Sequence, residues 1–557
     1  MIRAAAAERS REWRGKLSQL CAHISHQHSI CIDLASSDFR CLTYFPQHVR
    51  GLVFVDHRTI SVLTLLSGCT GIKVVLSDWP SKFSLWVQVL GMSQLQIQAD
   101  LKRLRAVAAV LSPVLGDRWI EGDAQRSAYA NSEGHHALDI PAAVVQPINV
   151  DEVQLVVTAA SEARIPLVPC GARTSLEGNC AADSGAIAID LTRMRRVITI
   201  AADDLLCIVE PGVTRESLNT ELRATGLFFP VDPGANATVG GMISTRASGT
   251  TAVRYGTMRE NILALTVVLS DGRILRTGTR ARKSAAGYDL THLFTGAEGT
   301  LGIIVEATLR LHGVPEVVTS GVWPFPTIDG AVQTVIAAMQ MGIPVARLEL
   351  LDEVAAAASN RYSQLSLPES PLLFVELHGT RAMVEEHRSN LEELGRANGG
   401  QALVLSSDAD QQRALWRARH CALPAAKSLL ASSVVWTTDI CVPISHLGEA
   451  ISRTRSMIDR AELTAPIVGH VGDGNFHVLF VLHPDNKESW SRARAVNEEM
   501  IAFALSVGGT CTGEHGIGIG KREALLLEHG NTALSVMKQI KAALDPHGIM
   551  NPGKIFI

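Results

Sequence analysis

Apolar residues in the middle of the chain switch between strand-like runs and helical spacing. Residues 140–147 and 165–169 are apolar runs typical of buried strands. Between them, one helix face is indicated by apolar residues at i, i+3, i+4 and i+7, namely Val153, Val156, Val157 and Ala160. A strand at 206–209 then leads to a helix with Thr214 as its N-cap and Gly226 after its end. This alternation predicts mixed α and β structure.

Antiparallel pairing is predicted further along the chain. Strand-like runs recur at residues 264–269, 274–276 and 302–311. The dipeptide Asp271-Gly272 between the first two runs is typical of a two-residue hairpin turn. Prolines after Gly313 mark a linker to a second region of helices and strands. We therefore predict an α+β fold whose segments are an unassigned N-terminal segment at 1–100, a helical lead-in at 101–139, a first domain at 140–313, a second domain at 314–545 and a C-terminal tail at 546–557.

Composition limits the kinds of partner. Hydrophobic residues make up 46% and charged residues 19% of 557, which is ordinary globular usage in a chain too long for one core. The 51 Lys and Arg residues nearly balance the 55 Asp and Glu residues, so the charge does not indicate nucleic acid binding. The apolar stretch at 59–77 contains Lys73 and is short for a spanning helix, so no transmembrane segment is predicted. The absence of a CxxC pair and of a signal-peptide core predicts a cytoplasmic protein with reduced thiols.

Three loops rich in glycine and hydroxyl groups stand out. The first, PCGARTSLEG at 169–178, follows a predicted strand, and its backbone N–H groups could wrap a pyrophosphate, although it matches neither GxGxxG nor a P-loop. The second, at 229–258, is a long irregular segment of the kind that a ligand usually orders. The third, TGAEGTLGII at 295–304, spaces three glycines three residues apart before a strand. Together they predict a site for a flat, phosphorylated ligand.

A second cluster of chemistry lies near the C-terminus. In GHVGDGNFH, a two-residue turn at Asp473-Gly474 would place His470 directly opposite His477, with Cβ atoms about 5 Å apart on one face. Two such imidazoles could bind one Zn²⁺, Mn²⁺ or Fe²⁺ ion. Downstream, GGTCTGEHGIGIGKR sets Glu514 and His515 in a glycine-rich bend, which supplies a carboxylate and a base.

These residues carry a family resemblance. Residues 229–275, together with KSAAGYDLTHLFTGAEGTLGIIVEATLRL at 283–311, resemble the FAD-binding domain of the vanillyl-alcohol oxidase and p-cresol methylhydroxylase (PCMH) flavoproteins. The branch that they resemble most is that of the FAD-linked D-lactate dehydrogenases and glycolate oxidase FAD subunits. The resemblance implies a PCMH-type FAD-binding domain with two subdomains at 140–313. It also implies an α+β cap domain with an antiparallel sheet at 314–545 and a tail that packs on the FAD domain.

The resemblance implies FAD as the cofactor. Many relatives attach the flavin through a histidine in the first loop, and this loop has none, so a non-covalent flavin is expected. Glu298, Gly299 and Ile304 are expected near the adenine end. The full set of implied FAD-binding residues is Gly171, Thr174, Ser175, Gly178, Pro233, Gly234, Thr238, Gly240, Gly241, Ser244, Ser248, Gly249, Glu298, Gly299, Ile304 and Asn551.

The resemblance also implies a reaction. A divalent metal would be held by His470, His477 and Glu514, with His515 as the base and Arg419 on the substrate carboxylate. The implied activity is oxidation of a small D-2-hydroxy acid, D-lactate above all, by hydride transfer to flavin N5. Related 2-hydroxyglutarate enzymes carry a lysine near the position of Thr437, so its absence favours a monocarboxylate.

Partners and alternatives follow from the same resemblance. The acceptor is expected to be a cytochrome, a quinone or an electron-transfer flavoprotein, and a homodimer is one expected assembly. A site at the periphery of the inner membrane, mitochondrial in a eukaryote, is the alternative to a free cytoplasmic location. Other enzymes that stay open are a glycolate oxidase FAD subunit and a D-2-hydroxyglutarate dehydrogenase. An FAD-binding electron-transfer subunit and a metal-binding module without redox activity are the non-enzymatic alternatives.

Overall fold

The computed structural model describes residues 89–130, 132–136 and 138–556, together with three short strands before them. Those strands pair antiparallel in chain order and are β1 (Arg40–Thr43), β2 (Gly51–Asp56) and β3 (Thr59–Ser61). Most of the apolar stretch at 59–77 lies outside the described residues. Of the helices that are described, none is long and apolar enough to cross a membrane. Residues 1–102 and 103–557 form two separate compact units by their internal contacts.

Residues 89–190 contain a small mixed sheet. The elements are α1 (Val89–Leu115), β4 (Trp119–Ile120), α2 (Asp123–Ser127), β5 (Ala143–Val145), α3 (Val150–Ala163), β6 (Leu167–Cys170) and β7 (Ile187–Asp190). The strand order is β4-β5-β7-β6, and the last three strands are parallel. The Asn149 side chain accepts the Glu152 N–H at the start of α3, and the predicted apolar face of that helix is buried. The predicted strand, helix and strand are therefore confirmed.

Residues 191–313 form an antiparallel sheet with short helices. The elements are β8 (Val197–Ala201), β9 (Leu206–Val209), α4 (Arg215–Leu222), β10 (Leu227–Phe228), α5 (Val239–Thr245), α6 (Ala252–Tyr255), β11 (Ile262–Val268), β12 (Ile274–Gly278), α7 (Leu290–Phe294), β13 (Ile303–Arg310) and β14 (His312–Gly313). The main sheet has the order β12-β11-β13-β9-β8. The Thr214 hydroxyl accepts the Ser217 N–H at the start of α4, so the predicted N-cap is confirmed.

The hairpin predicted at Asp271-Gly272 is present, but its loop is one residue longer than predicted. Val268 pairs with Ile274, and the Leu269 N–H donates to the Arg273 carbonyl, which leaves three residues in the loop. Gly272 has a φ of +83°, as the last residue of such a three-residue loop requires. The antiparallel pairing itself is as predicted.

The C-terminal domain is built on one antiparallel sheet covered by helices. Its elements are β15 (Val317–Pro324), α8 (Ile328–Gln340), β16 (Val345–Leu351), α9 (Glu353–Ser363), β17 (Leu372–Gly379), α10 (Arg381–Ala397), β18 (Val404–Ser406), α11 (Ala409–His420), α12 (Ala422–Lys427), β19 (Val434–Thr437), β20 (Ile440–Cys441), α13 (Leu447–Arg460), β21 (Ile467–His470), β22 (Asn475–Leu482), α14 (Lys487–Ser506) and α15 (Arg522–Leu544). The strand order is β18-β15-β17-β16-β21-β22-β19, and β20 also pairs with β22. A core of fully buried side chains that includes Trp323, Phe476 and Phe480 packs the helices on the sheet. The α+β class is confirmed.

The turn that joins the two histidines was predicted wrongly. His470 pairs with Asn475 rather than with His477, because residues 471–473 form a 3-10 turn and Gly474 follows with a φ of +78°. The longer loop is stabilised from outside, since the Val442 N–H donates to the Gly474 carbonyl at 3.0 Å. The error in register is two residues, so both imidazoles still lie on the same face of the sheet, as diagonal neighbours.

The C-terminal tail lies against the sheet of residues 89–190. The Leu167 N–H donates to the Ile549 carbonyl and the Asn551 N–H donates to the Leu167 carbonyl, both at 2.8 Å. The Lys541 ammonium donates to the Thr300 carbonyl at 2.6 Å. The chain that follows the C-terminal domain thus returns to the domain that carries the glycine-rich loops.

Candidate functional site

One cavity of about 880 Å³ lies between the glycine-rich loops and the C-terminal domain, within the usual range for small-molecule sites. Loops at 169–180, 233–250 and 298–304 form one wall, and residues of α11, α12, β19, β21 and β22 form the other. Twelve of the sixteen predicted FAD-binding residues line it: Gly171, Thr174, Ser175, Pro233, Gly234, Thr238, Gly240, Gly241, Ser244, Glu298, Gly299 and Ile304. The structure therefore brings the three loops together as one surface.

The other four, Gly178, Ser248, Gly249 and Asn551, are not among the residues that line the cavity, and their contact with FAD stays a prediction. The Ser248 hydroxyl donates to the Glu514 carboxylate at 2.7 Å. The Asn551 amide donates to the backbone carbonyls of Asn179 and Glu298 at 2.9 and 2.6 Å. A Cβ on Gly249 would lie 1.8 Å from the Asp232 carbonyl oxygen. These contacts support the residues that line the cavity. They join residues that are far apart in the chain, so the local sequence does not reveal them.

The walls fit an extended polar cofactor such as FAD. A Cβ on Gly171 would lie 2.0 Å from the Thr238 hydroxyl, so only glycine lets the first two loops meet. In the described part of the chain, Asn179 Oδ1, Thr250 Oγ1 and Thr437 Oγ1 are buried without a hydrogen-bond partner, and all three residues line the cavity. Buried polar atoms are normally paired, so these indicate a polar ligand.

A candidate metal cluster lines the cavity. His470 ends β21, His477 lies in β22 and Glu514 lies in the loop before α15. One ligand atom from each residue lies within 4.8 Å of the others. Nε2 of each histidine is 3.2 Å from Oε1 of Glu514. The structure therefore brings the three predicted ligands together.

The surroundings of the two histidines fit a divalent metal. Nδ1 of His470 lies 2.7 Å from Oε1 of Glu349, and Nδ1 of His477 lies 3.0 Å from the Thr438 carbonyl oxygen. These acceptors favour a proton on each Nδ1 and leave Nε2 as the metal-binding atom. Burial alone would lower the pKa of His470, but the carboxylates of Glu349 and Glu514 raise it to about 10. A metal ion would therefore displace a proton from Nε2.

His515 also lies in the cavity wall, stacked on His477 with ring centroids 4.9 Å apart. Burial lowers the pKa of His515, which keeps its imidazole neutral at physiological pH. Among the described residues its Nδ1 is buried without a hydrogen-bond partner. Its Nε2 lies 3.8 Å from Oε1 of Glu514, so a neutral His515 presents a proton acceptor beside the metal cluster.

Arg419 comes from the last turn of α11 and is only 7% exposed, so it is not a solvated surface residue. Its Nη2 lies 2.7 Å from Oε2 of Glu349, and its side chain lines the cavity. Because a guanidinium carries five donors, Arg419 can pair with Glu349 and still bind a carboxylate. The structure thus places the predicted carboxylate-binding residue beside the metal cluster.

Two buried carboxylates of the site were missed from the sequence. Glu349 joins His470 to Arg419, as described above. Asp439 lies in the turn between β19 and β20 and accepts the backbone N–H groups of Glu514 and His515, each at 2.9 Å. The only sequence signal for Glu349 is a charged residue in the apolar strand β16. Asp439 gives a comparable signal as an acid in the apolar TDICVP segment.

Comparison with known proteins identifies two FAD-related domains in the chain. Residues 141–278 match a family described as "FAD binding domain", and residues 314–555 match "FAD linked oxidases, C-terminal domain". The chain is 46% identical to a probable mitochondrial D-lactate dehydrogenase of Danio rerio, over 83% of this chain and 94% of that protein. It is 43% identical to a mitochondrial D-lactate dehydrogenase [cytochrome] of Arabidopsis thaliana, over 79% of this chain and 76% of that protein.

A bacterial relative and a solved structure complete the comparison. The chain is 32% identical to a glycolate oxidase subunit of Bacillus subtilis, over 79% of this chain and 94% of that protein. The structure of p-cresol methylhydroxylase with substrate bound matches with a TM-score of 0.68 at 18% identity, over 83% of this chain and 97% of that one. That likeness confirms the PCMH-type fold. By sequence, the chain is an FAD-dependent oxidoreductase that belongs to the family of FAD-linked D-lactate dehydrogenases and glycolate oxidase FAD subunits.

Proposed function

We propose that this protein oxidises a small D-2-hydroxy acid, D-lactate above all, to the 2-oxo acid. The observation that carries the proposal is the meeting, in one cavity, of a His-His-Glu cluster with a neutral buried imidazole. The names of the relatives, D-lactate dehydrogenase and glycolate oxidase subunit, support the substrate class. FAD held without a covalent bond and a divalent metal are the proposed cofactors.

His470, His477 and Glu514 would hold the metal, and the glycine-rich loops would hold FAD. When bound, FAD supplies an acceptor for a hydride and the metal polarises the substrate hydroxyl. Arg419 pairs with the substrate carboxylate, while Glu349 fixes the guanidinium. His515 would take the hydroxyl proton at Nε2, the ring nitrogen that lies 3.8 Å from Oε1 of Glu514.

Apolar side chains near the two imidazoles support a substrate with a short apolar chain. Val468 and Leu479 share the sheet face of the two imidazoles and line the cavity with Val435 and Leu423. Thr437, which supplies no positive charge, lies in the same wall, and Lys427 of α12 is a cation that also lines the cavity. Glycolate and D-2-hydroxyglutarate are the competing substrates, and the second of them needs a cation for its far carboxylate.

The relatives also support a proposal for the electron acceptor and the location. A cytochrome is the proposed acceptor, because one of the relatives is named for it, and a quinone or an electron-transfer flavoprotein is the alternative. The mitochondrial names of the eukaryotic relatives support a mitochondrial location for a eukaryotic protein. A position at the periphery of the inner membrane stays a prediction. A homodimer stays a prediction.

The proposal is tested by mixing the purified yellow protein anaerobically with D-lactate, L-lactate, glycolate or D-2-hydroxyglutarate. D-Lactate is expected to bleach the flavin absorbance fastest. Prior removal of metal with a chelator should stop the bleaching but leave the FAD spectrum, since none of the three proposed metal ligands lies in the glycine-rich loops. Added Zn²⁺ or Mn²⁺ should restore it. Bleaching by none of the acids, or bleaching that survives metal removal, would contradict the proposal.

A further inference from the structure

The backbone of the loop that carries Glu514 and His515 is hydrogen-bonded to two buried carboxylates, one from each domain. From the C-terminal domain, Asp439 Oδ2 accepts the N–H groups of Glu514 and His515. From the FAD domain, Glu298 accepts the N–H group of Ile517 at 2.7 Å and that of Gly518 at 2.8 Å. Four backbone donors in five consecutive residues are therefore fixed by two side chains that lie far apart in the sequence.

Each carboxylate is itself held by further donors. Asp439 is 1% exposed and accepts the Thr512 hydroxyl and the Asn475 amide, both at 2.7 Å. Glu298 is 5% exposed and accepts the Asn179 amide at 2.6 Å. Burying a carboxylate costs free energy unless it is hydrogen-bonded, and here the loop backbone supplies half or more of those bonds.

The loop has little space in which to shift. A Cβ on Gly513 would lie 2.4 Å from the Asn475 amide, and a Cβ on Gly516 would lie 2.9 Å from the Glu298 carboxylate. Gly516 also has a φ of +77°, which side-chain-bearing residues rarely adopt. Glycine at these two positions lets the backbone approach the two domains on both sides of His515.

We propose that Asp439 and Glu298 are positioning residues, which fix the backbone on both sides of His515 so that the Glu514 carboxylate and the His515 imidazole face the cavity. The inference rests on the proposed function for the identity of the metal ligand and the base. It adds that the FAD domain takes part in shaping the metal site, through Glu298. Loss of the Asp439 carboxylate, which does not line the cavity, should therefore loosen the loop without touching a bound ligand directly. Glu298 does line the cavity, so the FAD content of its variant is measured as well.

The chain offers a matched control in Asp545. This carboxylate is 2% exposed and accepts the backbone N–H groups of Ile549 and Met550 at 3.1 and 2.8 Å, so it also fixes a backbone turn. Asp545 is not among the residues that line the cavity. We expect Asp439→Asn and Asp545→Asn both to lower folding stability, but only the first to disturb the metal site.

The test compares Asp439→Asn, Glu298→Gln and Asp545→Asn as FAD-loaded full-length proteins. Zn²⁺ affinity is measured by competition with a chromogenic chelator, and kcat and KM for D-lactate are measured with saturating Zn²⁺. The first two variants should bind Zn²⁺ about 10- to 100-fold more weakly, which is the usual effect of losing a residue that supports a metal ligand. Their kcat should fall at least about tenfold because the base is displaced, while KM changes less than about threefold. Asp545→Asn should match the wild type in Zn²⁺ affinity, kcat and KM.

The outcomes separate this inference from the proposed function. If the wild type is active and the Asp439 and Asp545 variants lose Zn²⁺ affinity and kcat equally, the positioning role is overturned. The proposed function is not affected by that result. If the wild type does not oxidise D-lactate but the Zn²⁺ affinities still differ as expected, the positioning role stands and the proposed substrate is wrong. If Asp439→Asn does not fold, Glu298→Gln decides, and unchanged Zn²⁺ affinity and kcat in that variant overturn the proposal.

Discussion

The carboxylate of Glu349 lies 2.7 Å from the guanidinium of Arg419. Its other oxygen lies 2.7 Å from Nδ1 of His470. One buried side chain thus orients both the residue proposed to bind the substrate carboxylate and a proposed metal ligand. The two tasks are therefore not independent.

Substituting Glu349 tests this link. In Glu349→Gln the amide still accepts the His470 N–H, but it has no charge to balance Arg419 or to raise the basicity of the imidazole. We expect Zn²⁺ affinity to fall about 10- to 100-fold. KM for D-lactate should rise as well, because the guanidinium loses its fixed position. Metal competition and steady-state kinetics measure the two effects.

Glu376 supplies the control for that variant. It is also a buried strand carboxylate between an arginine and a histidine, 3.4 Å from Arg347 and 2.8 Å from His378, but it lies outside the described wall of the cavity. Glu376→Gln should leave Zn²⁺ affinity unchanged. A similar loss of affinity in both variants would show that the effect is one of general stability.

His515→Ala should separate cofactor binding from catalysis. The FAD spectrum and Zn²⁺ affinity should be kept, because the imidazole is neither in the glycine-rich loops nor among the three proposed ligands. Turnover should fall about 10²- to 10⁴-fold, the usual contribution of a general base. The exposed His483→Ala serves as the control and should be fully active. Turnover that survives in His515→Ala would remove the proposed base.

Gly171→Ala should weaken FAD binding and lower Tm. The new Cβ would lie 2.0 Å from the Thr238 hydroxyl, and such overpacking costs about 1–3 kcal/mol. The double variant Gly171→Ala/Thr238→Ala removes the clashing oxygen and should regain part of the loss. Gly185→Ala, which meets nothing within 4 Å, should be neutral. Thermal unfolding and flavin fluorescence measure these effects, and an unaltered Gly171→Ala protein would contradict the close contact of the loops.

His135 should make folding stability depend on pH. Its ring lies 5.0 Å from that of Trp436 and 5.5 Å from that of Trp490, and burial lowers its pKa to about 4. Because the unfolded state takes up a proton near pH 6.5, stability is full above that pH and is lost as the pH falls towards 4. The loss should be about 2 kcal/mol after allowance for partial solvation.

His135→Phe should flatten that part of the profile, since phenylalanine has no proton to bind. Urea unfolding of both proteins at several pH values between 4 and 7.5 provides the measurement. Parallel profiles for the two proteins would show that another group is responsible for the pH dependence.

The sequence by itself determined the types of structure and most of the chemistry. Helical spacing predicted the buried face of α3, and glycine spacing predicted the loops that line the cavity. The shared face of His470 and His477 survived a wrong turn, because side chains in a strand alternate with a period of two and the register error was two residues. Such local patterns depend on neighbours in the chain, so the sequence reveals them.

Only the tertiary structure decided how these parts cooperate. Glu349 and His470 are 121 residues apart, and they meet because β16 lies beside β21 in the sheet. Glu298 was predicted as an FAD contact, and although it lines the cavity, its carboxylate accepts backbone N–H groups of the loop that follows His515. The order of strands and the docking of two domains arise from burial summed over the whole chain, and no local spacing encodes the partner that a buried carboxylate will find.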